Sequence, residues 1–214
     1  MPTGIPIRDI REQLFDAAER VLLREGPAAL TSRAVTTEAG VAKGILHRHF
    51  PDFDTFLAAL VLTHVERVDA QSKDLRAVAG TGTVSDNLAR ALSAALNPSA
   101  IRIINLVCSR YVLLARLRLI TPTGIPLLTD TTKMIAAYLT AERGLGRIPS
   151  VADVDSLALL LVGATHLLAA GRDADPLDHD DLRDLLRTAV EETKRDATPP
   201  EMTQGTGSPA RGRR

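Results

Sequence analysis

A chain of 214 residues with 45% hydrophobic and 24% charged side chains has the balance of a globular protein with room for one large domain or two smaller ones. Lys plus Arg and Asp plus Glu both number 26, so bulk charge excludes itself as a source of nucleic-acid affinity, which has to come from where cations sit. One cysteine, Cys108, excludes an intrachain disulfide framework. No apolar run reaches ~18 charge-free residues, which excludes a single spanning helix, and Met1–Arg8 has no apolar core of the signal-peptide kind. The expectation is a cytoplasmic protein with a core of Leu, Ala, Val and Ile, since aromatics make up 3% and Trp is absent.

In chain order, Ile7, Ile10, Leu14, Ala17, Ala18, Val21 and Leu22 recur at three- and four-residue steps and predict an amphipathic helix from about Ile7 to Glu25, ended by Gly26-Pro27. Thr31 has the chemistry to cap a second short helix running to Ala39. Gly40 suits the αL position that ends it, because it has no Cβ to clash there. The next helix follows within two or three residues and runs to Phe50, a gap too short for antiparallel packing. Steep crossing of two short helices is the geometry of a helix-turn-helix, whose second helix enters the DNA major groove. Phe50-Pro51-Asp52 then closes one helix and opens a fourth, whose stripe Phe53, Phe56, Leu57, Leu60, Val61, His64, Val65 and Val68 continues toward Val78.

Ala79-Gly80-Thr81-Gly82-Thr83 reads as a loop, followed by a helix from Asp86 to Leu96. Asn97-Pro98 starts the next, through Ile101, Ile104, Val107, Tyr111 and Leu114, either as one helix to Leu119 or as two with a break near Ser109. Cys108 lies among apolar neighbours and reads as a buried small hydrophobe. After the Thr121–Pro126 loop, a helix resumes near Leu128 and ends at Gly144-Leu145-Gly146. Leu157 to Ala170 is apolar nearly all round and has to be covered on both sides, by a second copy or within its own monomer. The last helix, about Pro176 to Thr193, carries Leu182, Leu185, Leu186, Ala189 and Val190 on one stripe. From Ala197 the composition turns to Pro, Gly, Thr, Ser and Arg without apolar period and predicts a disordered tail in which Arg211, Arg213 and Arg214 add weak phosphate attraction at most.

The run Thr31-Ser32-Arg33-Ala34-Val35, then Ala39-Gly40-Val41, then Gly44-Ile45-Leu46-His47-Arg48-His49-Phe50 resembles the DNA-binding domain of TetR-type transcriptional regulators. That resemblance implies an all-α fold: an N-terminal three-helix helix-turn-helix domain (1–52), a C-terminal helical ligand-binding and dimerisation domain (53–196), and the tail 197–214. It implies a homodimer on palindromic double-stranded operator DNA, acting as a repressor that a small-molecule effector releases, with no cofactor. By position it assigns DNA contacts to Thr31, Ser32, Arg33, Ala42, Lys43, Gly44, His47 and Arg48, with His47 where the family usually has a phosphate-contacting Tyr. Two places depart from the family pattern: Phe53 stands where a Lys is usual, and Ala42 where a Ser or Thr often caps the recognition helix. Leu157, Leu160, Leu161, Ala164, Leu168, Leu182 and Leu186 are the expected dimer interface, and Arg102, Asn105, Arg110, Tyr111, Tyr138 and His166 the candidate polar groups of an effector pocket.

Enzymatic signatures are missing from the sequence: there is no nucleophile elbow, no phosphate-binding P-loop and no His-Glu-x-x-His. His47 and His49 point to different faces of a helix, and the acids of Asp178-His179-Asp180-Asp181 open a helix whose dipole they complement, so neither makes a metal set. The expectation is a regulator that is not an enzyme. The alternative is a dimeric helical small-molecule sensor or scaffold without sequence-specific DNA binding, supported by the neutral N-terminal region, Phe53 and Ala42.

Overall fold

The computed structural model describes residues 9–172 and 175–196, and side chains as far as 191. The expected tail 197–214 with its arginines, and the helix start at Ile7, lie outside the described residues. Among those residues the fold is all-α. No single helix among them is long and apolar enough to cross a membrane.

Local chemistry sets most helix ends. Asp9 caps α1 (Ile10–Glu25) by accepting from Arg11 N at 3.0 Å, and Gly26 ends it at φ 78°. A single 3-10 turn leads to Thr31, whose hydroxyl accepts from Ala34 N and starts α2 (Ser32–Glu38). Gly40, at φ 67°, closes α2 with the Gly40 and Val41 amides on the Thr37 and Thr36 carbonyls. Then α3 (Gly44–His49) begins without a side-chain cap. Asp52 caps α4 (Phe53–Ala77), the spine of the molecule, which touches α3 near its start and packs on α5, α7 and α8 beyond.

Thr83 caps α5 (Val84–Ala95), which therefore starts two residues before the expected Asp86. Asn97 caps α6 (Pro98–Ser109). Arg110 is extended (φ −122°, ψ 96°), which resolves the open alternative: the helix breaks there, and α7 (Tyr111–Leu117) follows. Leu127, buried at φ 71°, leads into α8 (Leu128–Gly144); it is the one non-glycine with positive φ among the described residues. Asp153 caps α9 (Val154–Ala170), and α10 (His179–Asp196) lies along α5.

One expectation needs correcting. Cys108 is exposed, because the inward positions of α6 are taken by Ile103, Ile104, Leu106 and Val107 on neighbouring turns. Helix α9 packs on α8 and α6 through Ala158, Leu161, Val162, Thr165 and Ala169. Its other side is not covered within the chain: Leu159, Leu160, Leu167 and Leu168 are 64%, 70%, 75% and 44% exposed. Of the residues expected at a dimer interface, Leu160 and Leu168 are thus open and Leu157 and Ala164 half-buried. Leu161, Leu182 and Leu186 are already buried in the chain's own core, the last two because the apolar stripe of α10 faces inward.

Candidate nucleic-acid interface

All four phenylalanines of the chain fall between residues 15 and 56, and they lock the N-terminal helices together. Phe50 meets Phe56 edge-on at 5.1 Å and Phe15 at 5.9 Å, and Phe53 stacks on Phe56 at 5.6 Å. The Arg11 guanidinium lies 4.5 Å above the Phe50 ring. With Leu46, Phe50 anchors the inner side of α3, so Gly44, His47, Arg48 and His49 face solvent. In the second helix, Gln13 Nε2 donates to the Ala39 carbonyl at 2.8 Å, and Arg20 and Arg24 grip Glu38 at 2.7 and 2.9 Å. Both short helices are therefore held by side chains of α1 and α4, not by their own length.

These contacts also sort the charges. Glu38 is consumed by Arg20 and Arg24, whose hydrogen bonds hold its carboxyl below the usual range. Asp52 accepts from the Thr55 backbone and hydroxyl and from Arg116, and is held down at about 2. Glu19, raised by burial but lowered more by His64 and Arg67, sits at about 2. The cations left without an acid partner among the described residues include Arg33, Lys43 and Arg48, all exposed, and His47 stands beside them on α3. Part of the neutral composition thus resolves into acids held by partners (Glu19, Glu38 and Asp52) and a helix-turn-helix carrying unpaired cations.

At the positions expected to meet DNA, Thr31 and Arg33 open α2, exposed; Ser32 is half-buried, and its Oγ is buried without a partner. Ala42, Lys43, Gly44, His47 and Arg48 are exposed along the turn and α3. Lys43 and Arg48 thus put unpaired positive charge on the outward side of the turn and α3, the kind of charge that attracts phosphate.

The effector candidates are not gathered into one cavity. Arg102 and Asn105 line a cleft between α6 and the end of α9. Arg110 turns toward the N-terminal helices, donating to the Leu30 carbonyl at 2.9 Å and lying 5.8 Å over Phe53. Tyr111 is 79% exposed. Tyr138 is fully buried; its hydroxyl donates to Glu142 at 2.5 Å and accepts from Asn87 at 3.0 Å, and burial pushes its ionisation far up. His166 is half-buried on α9 with an unpartnered Nδ1, and burial pushes its pKa down.

Several groups that pattern reading passed over tie distant helices and loops together. Arg116 of α7 pairs with Asp52 at 3.1 Å and donates to Thr55, beside the end of α3. Buried His64 meets Glu19 at 3.0 Å across α4 and α1. Glu142 is fully buried against Arg147 at 3.2 Å and the Gly80 amide at 3.3 Å, fixing the α4–α5 loop to α8. Each pair is separated by 45 residues or more, or turns on which helix face is inward, so spacing carried no signal.

Residues 14–60 match the family described as bacterial regulatory proteins, tetR family. No curated protein matches the chain. Among solved structures, a TetR-family member from Streptomyces coelicolor A3 superposes with a TM-score of 0.58 at 24% identity, over 84% of this chain and 97% of that one. The fatty acid degradation regulator FadR from Bacillus halodurans gives 0.61 at 16% identity, over 86% and 93%. The multidrug binding protein EbrR, complexed with imidazole, gives 0.56 at 20% identity, over 85% and 95%. At such identities the likeness is one of fold.

Proposed function

We infer that this chain, a tetR-family regulatory protein over residues 14–60 and of that fold beyond them, is a ligand-responsive transcriptional regulator that represses by binding a palindromic operator as a homodimer. The observation that carries the reading is the outward side of α3, where Lys43, His47 and Arg48 stand free of acid partners on a helix pinned from behind by Leu46 and Phe50. Lys43, Arg33 and Thr31 meet phosphate, and Ala42, Gly44, His47 and Arg48 lie along the groove. The open leucines of α9 meet those of a second copy, and two-fold symmetry then repeats the recognition helix at the spacing of a palindrome. The joint between a DNA-binding unit (1–52) and a regulatory unit (53–196) is the start of α4, where Arg110 and Arg116 hold Leu30, Phe53, Asp52 and Thr55. A small effector that favours another placement of α6 and α7 pulls on those contacts and lowers operator affinity.

Fluorescence anisotropy with DNA from upstream of the protein's own gene tests this at two salt concentrations. Sequence-preferring, salt-sensitive binding is expected, weakened at least tenfold by Lys43→Ala with His47→Ala, and with a salt slope reduced by about one ion for the lost lysine. Binding that ignores salt and sequence, or a double variant indistinguishable from the parent, overturns the reading. In that event the scaffold alternative stands, because Phe53 presents a ring to Arg110 instead of a cation to phosphate.

A further inference from the structure

A cavity of about 270 Å³ lies where α1, α4 and the α5–α6 turn meet, with Leu127 as part of its wall. Its polar lining comes from Glu19 on one side, His64, Arg67 and Gln71 along α4, and Asn97 and Ser99 at the start of α6. The volume corresponds to about nine water molecules, enough for a small organic ligand and not for a large one.

Its unmet hydrogen-bonding capacity is on the acceptor side. Gln71 Oε1 is buried without a partner. Among the described residues, His64 Nε2 and Arg67 Nη1 both converge on Glu19 Oε1 at 3.0 Å, leaving Oε2 without a donor. Burial of an unpaired acceptor is unfavourable, and a donor that enters relieves it. The Glu19 carboxyl, held at about 2, is ionised at every physiological pH, so a donor carrying positive charge is preferred. Arg67, half exposed, has solvent to move into when such a donor replaces it.

We propose that this cavity binds a small cationic hydrogen-bond donor, an amine or amidine, between Glu19 and Gln71. The ligand would touch α1 of the N-terminal unit and the α5–α6 turn of the regulatory unit at once, through α4. Binding itself stands apart from the regulator reading; the effect on DNA rests on it.

The test is titration calorimetry of the full chain with benzamidine and with putrescine, with acetate and phosphate as anionic controls. Saturable one-site binding of at least one of the two cations and none of the anions is expected. Gln71→Leu, which removes the orphaned acceptor without touching the ion pair, should weaken it at least fivefold, and Gln71→Glu should strengthen it. Glu19→Gln should weaken it at least tenfold; if that variant fails to fold, the two Gln71 variants decide. Neither cation binding, anions binding instead, or Gln71 variants equal to the parent each overturn the proposal. Anisotropy on the ligand-free protein keeps the two readings apart: operator binding with no amine binding removes this site alone, and amine binding with no operator binding removes the regulator reading alone.

Discussion

Phe50 is where α3 is most open to attack. Its ring is 2% exposed, meets Phe56 and Phe15 at 5.1 and 5.9 Å, and carries the Arg11 guanidinium at 4.5 Å. Phe50→Ala leaves a cavity at the centre of this cluster and should reduce stability by about 3–5 kcal/mol. Phe50→Leu keeps most of the apolar bulk but forfeits two aromatic pairs and the cation contact, for a loss of about 1–3 kcal/mol. Against a total stability on the order of 5–15 kcal/mol, the alanine variant is left marginal. Its melting temperature should fall by roughly 6–20 °C. Urea unfolding followed by far-ultraviolet circular dichroism measures both variants, and anisotropy then compares the DNA affinity of the folded leucine variant with the parent. A loss under ~1 kcal/mol for Phe50→Ala would refute the claim that the aromatic cluster, and not local helix propensity, holds α3 in place.

Leu160→Glu combined with Leu167→Glu places carboxylates on the open side of α9 and should give a folded monomer by light scattering where the parent is a dimer; a parent that is monomeric at tens of micromolar would sink the dimer reading. Glu19 sets an acid limit: its folded pKa, about 2, is depressed below the ordinary 4.5, so the stability it contributes is present above about pH 5 and is lost as pH falls from there toward 2. That contribution is roughly 3 kcal/mol at neutral pH, so the stability gap between parent and Glu19→Gln should narrow from pH 7 to pH 3, and a constant gap would contradict it. Arg110→Ala removes the bond to the Leu30 carbonyl and the cation over Phe53. It should reduce stability by about 1–3 kcal/mol and shift operator affinity at least threefold from a position that touches no DNA; unchanged affinity would show that the joint transmits nothing.

The helices were largely legible because their ends are local chemistry. Thr31, Asp52 and Asn97 each supply the side-chain oxygen that starts a helix within three residues, and Gly40 stops one, so reading them required no knowledge of the rest of the chain. Thr83 belongs with them but stood at the edge of a Gly-Thr-Gly-Thr run that reads as loop, and so α5 was expected two residues late. Face assignments were harder. Apolar residues all round α9 told that it needs cover on two sides, while only the placement of α8 and α6 decides that Leu161 turns inward and Leu160 outward. Charge was least legible of all. Counted along the chain, Glu38 and Asp52 weigh against DNA binding; in space each is taken up by arginines 14 or more positions away, and Lys43, Arg33 and Arg48 are left over.

Phe53 shows how far a family pattern carries and where it stops. Read by position, it is the loss of a lysine that would meet phosphate. In the fold its ring stacks on Phe56 and underlies Arg110, so the residue joins the start of α4 to the break between α6 and α7. Phe53→Lys would then restore the family's phosphate contact and at the same time set a second cation against Arg110 and strip the ring from the joint. DNA affinity at low salt should rise, with a salt slope steeper by about one ion, while stability falls by about 1–2 kcal/mol through the lost stacking and cation contacts. If Phe53 were only a vacant phosphate position, the lysine variant would bind DNA more tightly and be as stable as the parent. A variant that gains affinity and loses stability together places Phe53 at the joint.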